Sequence, residues 1–145
     1  MKISKKCQYA LKAVFELAWR GQDGPVGTQK IAKAQGVSSR FMEIILNELK
    51  HGGFVESRRG KEGGYVLAKD AQDLTVLEVI EYIEGPVLLP QSSDDTASVI
   101  GNDAFKEFWG EVNKAISEVC ANKSFSDLVK FERDKRDKSA LNYNI

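Results

Sequence analysis

The chain has few of the residue types on which several classes of protein depend. Its 145 residues include two cysteines and one histidine, and the longest stretch without Asp, Glu, Lys or Arg covers nine residues, 85–93. A membrane-spanning helix needs about 20 consecutive apolar residues, so we expect no membrane segment. Cys7 and Cys120 are too few for a disulfide framework and do not have metal-ligand spacing, so we expect free thiols. No base stands beside a cysteine or serine as a nucleophile–base pair would require, and we expect no enzymatic activity.

The N-terminus begins with basic residues, as a signal peptide does, but Lys12 and Glu16 interrupt any apolar segment. No small-residue cleavage site follows. We therefore expect a cytoplasmic protein. The length allows one domain with a core and a helical extension.

The formal net charge of zero conceals an asymmetry along the chain. Residues 1–70 contain 13 Lys or Arg and 7 Asp or Glu, a net charge of +6, whereas residues 71–145 contain 8 and 14, a net charge of −6. A polyanion would therefore bind the N-terminal half.

The N-terminal half has the pattern of a helix-turn-helix. Apolar residues between positions 3 and 20 recur at helical spacing and predict an amphipathic helix. A short helix over Thr28–Gln35 follows and ends at Gly36, which suits a tight turn. Ser38 can cap a third helix over Ser39–His51.

The third helix has one polar and one apolar face. At about 100° per residue, one arc of about 100° contains a row of hydrogen-bonding side chains. They are Ser39, Arg40, Glu43, Asn47 and Lys50. Its position after a glycine turn makes this helix a candidate recognition helix.

The segment "SRRGKEGGYVLA" predicts the wing that follows such a helix. "GGFVES" and "GGYVLA" have the pattern of two strands, with residues 59–63 as the loop between them. Gly63 and Gly64 allow a tight backbone path, while Arg58, Arg59 and Lys61 bring positive charge to the tip. An arginine at such a tip can enter a narrow A·T-rich minor groove. The glycines do not fit a phosphate-binding loop, because the required Gly and Ser or Thr are missing.

The remaining chain predicts three further helices and a loop. Thr75 and Glu78 have capping-box spacing at the start of a helix that ends near residue 84. Residues 86–101 are read as a loop, residues 102–121 as a long helix, residues 126–135 as a last helix, and residues 137–145 as a flexible tail. The long helix has an apolar stripe that needs a partner surface: Phe105, Phe108, Trp109, Val112, Ile116 and Val119.

The chain resembles the Rrf2-type bacterial transcription regulators. The resemblance rests on "MKISKKCQYALKAVFELA", "IAKAQGVSSRFMEIILNELKHGGFVESRRGKEGGYVLAKD" and "LTVLEVIEYIEGP", which together cover essentially residues 1–86. It implies a homodimer on a near-palindromic operator in double-stranded DNA, with the recognition helices in major grooves and the wings in adjacent minor grooves. The long helix would pair the subunits.

We therefore expect a mainly α fold with a small two-stranded β-hairpin, a winged helix-turn-helix followed by a long dimerisation helix. The predicted parts are residues 1–85 for DNA binding, the loop 86–101, residues 102–136 for dimerisation and the C-terminal helix, and the tail 137–145. The predicted DNA-binding residues are Thr28, Ser38, Ser39, Arg40, Glu43, Asn47, Lys50, Arg58, Arg59 and Lys61. Ser38, Ser39, Arg40 and Glu43 match the start of the family's recognition helix, and Arg59 matches the wing arginine.

Many members of this family hold an iron–sulfur cluster with three cysteines in the loop before the dimerisation helix. Residues 86–101 contain no cysteine, so such a cluster cannot assemble, and we expect a colourless protein without a cofactor. Cys7 lies near a helix start beside Lys5 and Lys6, which would favour a thiolate. A redox-sensing cysteine and a small buried apolar residue are therefore both open readings of Cys7.

The family's cluster-free branch includes repressors of cysteine and sulfur metabolism that act with cysteine synthase. This chain resembles that branch, and its end, Tyr143, Asn144 and Ile145, is similar to the tail by which serine acetyltransferases place a terminal isoleucine in cysteine synthase. A tail without a partner is the alternative. For the whole chain, the alternative to a repressor is a winged-helix protein-interaction module that binds no DNA; the basic N-terminal half argues against it.

Overall fold

The computed structural model describes residues 2–21, 23–86 and 99–143. Its helices are α1 (Lys5–Arg20), α2 (Thr28–Gln35), α3 (Ser39–His51), α4 (Val76–Glu84), α5 (Asn102–Ala121) and α6 (Phe125–Tyr143). Its strands are β1 (Val55–Arg58) and β2 (Gly64–Leu67), and a single 3₁₀ turn covers Ala71–Asp73. The predicted mainly α fold with one two-stranded sheet is confirmed. The predicted loop 86–101 lies mostly outside the described residues.

Helix α1 is the centre of the core. Ser4 caps its N-terminus by accepting a hydrogen bond from the Cys7 backbone N–H at 3.1 Å. Its buried face comprises Ala10, Ala13, Val14, Leu17 and Ala18, the residues whose spacing predicts it. Helices α2, α3, α4 and α6 all pack against α1.

The turn between α2 and α3 depends on a left-handed glycine. Gly36 has φ 67° and ψ 34°, and its N–H donates to the carbonyls of Ala32 and Lys33 at the end of α2. An L-residue adopts this conformation only at a cost, so glycine suits the position. Ser38 then caps α3 by accepting from the Phe41 N–H at 3.2 Å. The two predicted helix boundaries at this turn are confirmed.

The hairpin is joined to the helical body by a third short segment. Strands β1 and β2 pair antiparallel from Val55 opposite Leu67 to Arg58 opposite Gly64. On the other edge of β2, Tyr65 exchanges two backbone hydrogen bonds with Val26, at 3.0 and 2.8 Å. The root of the hairpin is therefore attached to the chain that leads into α2.

The start of α6 belongs to the same core as α1. Thr75 and Glu78 form the predicted capping box of α4. The segment before α4 is bonded to the segment before α6, because Phe125 N–H donates to Leu74 O and Val76 N–H donates to Lys123 O, each at 2.9 Å. Phe125 is completely buried in the core around α1.

The structure corrects the prediction for the C-terminus. Helix α6 runs to Tyr143 instead of ending near residue 135, so the described part of the predicted tail, residues 137–143, is helical. Pairs one turn apart support the extension: Arg136 Nε lies 2.9 Å from Glu132, and Ser139 donates to Lys135 O at 3.0 Å. In the described ranges, no helix has the length and apolar character needed to cross a bilayer.

Candidate DNA interface

Helix α3 presents a polar face to solvent, which we call the recognition face. It comprises the exposed residues Ser39, Arg40, Glu43, Asn47 and Lys50. The opposite side, Met42, Ile45, Leu46 and Leu49, is completely buried. The burial pattern therefore agrees with the helical wheel, and the polar row lies where a second molecule can reach it.

Two contacts from neighbouring helices fix the position of α3. Lys6 on α1 forms an ion pair with Glu48 at 3.2 Å, and the hydroxyl of Tyr82 on α4 donates to the Glu48 carbonyl at 3.0 Å. The Tyr82 ring also packs against Phe54, with 5.2 Å between ring centroids. Both contacts reach α3 through Glu48, outside the recognition face.

A buried carboxylate holds the end of α2 against α1. Glu16 is 6% exposed and accepts hydrogen bonds from Gln35 Nε2 at 2.7 Å and from Arg20 Nε at 2.8 Å. Because a buried charge needs such partners, this cluster ties the helix-turn-helix to the core.

Both ends of α3 are capped by side chains. The Ser38 hydroxyl accepts from the backbone at the N-terminus, but a hydroxyl also has a donor, so the predicted DNA contact of Ser38 remains geometrically open. At the C-terminus, His51 Nδ1 donates to the Asn47 carbonyl at 2.7 Å. Thr28, the remaining predicted residue of this unit, is half-buried at the first position of α2.

The glycines of the hairpin are required by close backbone approaches. A Cβ on Gly63 would lie 2.3 Å from the Arg58 carbonyl oxygen, and a Cβ on Gly64 would lie 2.4 Å from the backbone of Val26. Gly63 N–H closes the tip by donating to Gly60 O at 3.0 Å. Gly63 thus allows the tight tip that the sequence predicts, while Gly64 is needed for the attachment of the hairpin to Val26.

The three cations of the hairpin differ in their surroundings. Arg58 lies on β1 and forms an ion pair with Glu56 at 3.0 Å, which offsets part of its charge. Arg59 and Lys61 lie at the exposed tip and have no ion-pair partner within the described ranges. The wing tip, residues 59–63, therefore presents two cations that form no ion pair within the described ranges, together with the exposed Glu62.

The predicted dimerisation stripe lies on a helix that buries little of itself. Phe105 is 63% exposed, Phe108 49% and Val119 64%, while Trp109, Val112 and Ile116 are half-buried. The only buried residue of α5 in the single chain is Asn113. A row of exposed aromatic and aliphatic side chains on a helix of about 30 Å is typical of an interaction surface.

The structure favours the apolar reading of Cys7. Its side chain is completely inaccessible to solvent. Burial, assisted by the negative charge of Glu84 and opposed by Lys6, raises the pKa of the Cys7 thiol from 9.0 to about 11. The thiolate that the nearby lysines predict is therefore disfavoured at neutral pH. Cys120 is half-buried on α5.

The potential metal donors of the described residues are dispersed. Across residues 2–21, 23–86 and 99–143, no three His, Cys, Asp or Glu side chains come together in a way that could hold a metal ion. The predicted partner tail is described only as far as Tyr143, which is 94% exposed. Asn144 and Ile145 lie outside the described residues.

Sequence reasoning missed residues that act on the site through their neighbours. Glu56 stands two positions before Arg58 and so lies on the same face of β1, a period-two signal that could have identified the ion pair. The contacts of Glu48 with Lys6 and Tyr82 join residues 42 and 34 positions apart, and no local pattern indicates them.

The comparisons with known proteins agree with this geometry. The Rrf2 family, described as iron-dependent transcriptional regulators, matches residues 3–131. The chain is 31% identical to the HTH-type transcriptional regulator CymR of Bacillus subtilis (strain 168), over 90% of this chain and 91% of the relative. It is 32% identical to the regulator IscR of Yersinia pseudotuberculosis, over 89% of this chain and 79% of the relative. The solved structure of CymR, described as the global cysteine regulator of B. subtilis, superposes with a TM-score of 0.82 at 30% identity and covers 90% of this chain and 98% of that one. The relatives are transcription regulators, and on this evidence the chain belongs to the Rrf2 family.

Proposed function

We propose that this DNA-binding transcription regulator is a repressor that binds a palindromic operator as a homodimer and works without an iron–sulfur cluster. The observation that carries the proposal is the recognition face, an exposed row of hydrogen-bonding side chains on a helix whose other side is completely buried. Arg59 and Lys61 on the adjacent wing tip, which form no ion pair within the described ranges, support it.

Helix α3 enters the major groove in this proposal. An α-helix fits that groove, where each base pair has a distinct pattern of donors, acceptors and methyl groups. Arg40 offers a bidentate donor to guanine, worth about 1–3 kcal/mol of discrimination, and Glu43 offers an acceptor to the amino group of cytosine. Lys50, near the C-terminus of α3, contacts phosphate and adds affinity without sequence preference.

The wing tip lies over the neighbouring minor groove. Arg59 inserts where a narrow groove concentrates negative potential, and Lys61 contacts the backbone. The Val26–Tyr65 backbone bonds keep the wing root in a fixed position relative to α2, so α3 and the wing reach the DNA as one surface.

A second copy of the chain covers the stripe on α5. A helix with this much exposed apolar surface needs a partner, and two-fold pairing of identical subunits is the commonest solution. Two-fold symmetry in the protein favours an operator with two-fold symmetry, with half-sites about 34–36 Å or a multiple apart.

The donor set does not fit the iron chemistry that the family description names. An iron–sulfur cluster held by three or four cysteines needs more thiolates than the two cysteines of this chain, Cys7 and Cys120, can supply. Cys7 is also buried. We therefore propose that the regulator responds to a signal other than an iron–sulfur cluster.

The similarity to CymR, described as a cysteine regulator, supports a role in cysteine or sulfur metabolism. Cysteine synthase is the proposed protein partner, reached by the C-terminal residues Tyr143, Asn144 and Ile145. Helix α6 ends at Tyr143, the last described residue, and the side chain of Tyr143 is exposed to solvent. Deletion of Ile145 should weaken binding to purified cysteine synthase in calorimetry, and an unchanged affinity would refute this part.

The first experiment is a selection of bound sequences from random duplex DNA by the purified protein, with its absorption spectrum and molar mass in solution recorded beforehand. The expected result is a palindrome selected by a colourless dimer. If nothing is enriched, the selection is repeated with cysteine synthase present. Failure of both selections, or weak binding without steep salt dependence, would refute DNA-directed repression and favour a protein-interaction module.

A further inference from the structure

One apolar side chain stands among the polar side chains of the outward side of α3. Ile44 is 55% exposed. By helical spacing its neighbours on one side are Arg40 and Asn47 of the recognition face, and on the other side Phe41 and Glu48, so Ile44 lies at the edge of that face. The other aliphatic residues of α3 are completely buried, which makes Ile44 the exception on this helix.

Intramolecular packing accounts for the other exposed apolar residue of α3 but does not account for Ile44. Phe41 is 43% exposed, and its ring meets Tyr9 of α1 edge to face with 5.7 Å between centroids. Ile44, like Phe41, belongs neither to the buried core nor to the partly buried residues packed against it, and it is the more exposed of the two. Its side chain is therefore available to a molecule that approaches the recognition face.

We propose that Ile44 contacts the C5-methyl group of a thymine in the major groove and so is a specificity-determining residue. The inference rests on the proposed function, in which α3 enters that groove. The thymine methyl is the apolar group that a T·A pair presents there, and apolar side chains from alanine to phenylalanine contact it. An isoleucine can neither donate nor accept a hydrogen bond, so its contribution to sequence choice comes from this contact.

The position of that thymine follows from the helix geometry. Ile44 lies about 6 Å along the helix axis from Arg40, because each residue rises about 1.5 Å. With about 3.4 Å per base pair, the thymine lies about one or two base pairs from the base that Arg40 contacts. The predicted half-site therefore contains a guanine and a thymine at this short separation.

The test replaces thymine by uracil, which removes the methyl group and leaves the hydrogen-bonding edge unchanged. Each thymine of the selected operator is replaced in turn, at both half-sites, and the dissociation constant is measured for the wild-type protein and for Ile44→Ala. For the wild-type protein, replacement of one particular thymine in one half-site should weaken binding about fourfold, the effect of one buried methyl group. Replacement of the same thymine in both half-sites should weaken binding about fifteenfold. For Ile44→Ala, the same replacement should change the dissociation constant less than about twofold.

The outcomes separate the inference from the proposed function. Ile44 is exposed and alanine favours helix, so Ile44→Ala should fold, which its circular dichroism spectrum checks. The wild-type measurements do not depend on that variant. If the protein selects an operator but no thymine shows a methyl effect that Ile44→Ala removes, the inference is wrong and the proposed function stands. If no sequence is selected either without or with cysteine synthase, both the proposed function and the role of Ile44 are wrong.

Discussion

Replacing Gly64 by alanine should detach the wing from the body of the protein. Gly64 has φ 153°, and an added Cβ would lie 2.4 Å from the carbonyl carbon and oxygen of Val26 and 2.7 Å from the nitrogen of Gly27. All three are backbone atoms, which cannot turn away as a side chain can. The alanine methyl therefore forces β2 away from Val26.

The cost of this movement follows from the bonds that it breaks. Val26 and Tyr65 exchange two backbone hydrogen bonds, each with a net contribution of about 1 kcal/mol. The positive φ, which L-residues rarely adopt, adds about 1 kcal/mol or more. The free energy of unfolding of Gly64→Ala should thus fall by about 3 kcal/mol, a large part of the stability of a small domain.

The matched control is Gly53→Ala. Gly53 has φ 78°, and a Cβ there meets nothing within 4 Å, so this variant has the backbone cost alone. Urea denaturation should show Gly64→Ala about 2 kcal/mol less stable than Gly53→Ala. DNA binding, measured where both variants are folded, should weaken for Gly64→Ala and not for Gly53→Ala. Equal stabilities would show that the Val26 attachment does not hold the wing, and our account of the wing root would be wrong.

Three further predictions concern single side chains. Arg59→Ala should lower the slope of log affinity against log salt by about 0.9 per subunit, whereas Arg58→Ala, whose charge is paired with Glu56, should change the slope less. Glu43→Ala should change the operator sequence selected from random DNA, whereas Lys50→Ala should weaken binding to all sequences alike; equal effects on all sequences would contradict the assignment. Because burial raises the pKa of the Cys7 thiol from 9.0 to about 11, the thiol loses its proton at a lower pH in the unfolded chain than in the folded protein. The free energy of unfolding should therefore fall by up to about 2 kcal/mol more between pH 9 and 11 for wild type than for Cys7→Ala, and parallel pH curves would refute the raised pKa.

The local parts of the fold could be predicted from the sequence because short-range chemistry determines them. The boundaries of α2 and α3 follow from Gly36 and Ser38, and the start of α4 follows from the Thr75–Glu78 box. Each of these signals acts within one or two helical turns, so a reading of neighbouring residues is sufficient.

Helix α6 shows where such reading is insufficient. Its second half has no apolar periodicity, and the mixed charges of residues 132–138 predict an end near residue 135. The segment also contains no glycine or proline, and ion pairs one turn apart stabilise it as a helix. With no stop signal in the segment, these local pairs carry the helix on to Tyr143.

Contacts between distant residues could not be predicted for the candidate site. The attachment of the wing depends on backbone bonds between Val26 and Tyr65, and the high pKa of Cys7 depends on burial under helices that follow much later in the chain. For Cys7, desolvation outweighs the neighbouring lysine, and burial is a tertiary property.

The pairing of residues 74–76 with residues 123–125 has a mechanical consequence. Backbone hydrogen bonds and the buried Phe125 attach the segment that follows α5 to the N-terminus of α4. Helix α4 in turn contacts α3 through the hydrogen bond of Tyr82. A subunit pair joined along α5 would therefore carry its two recognition helices as rigid attachments. The crossing angle of the two α5 helices would then set the distance between half-sites, and a small rotation at the pairing helices would move both reading helices out of register with the DNA.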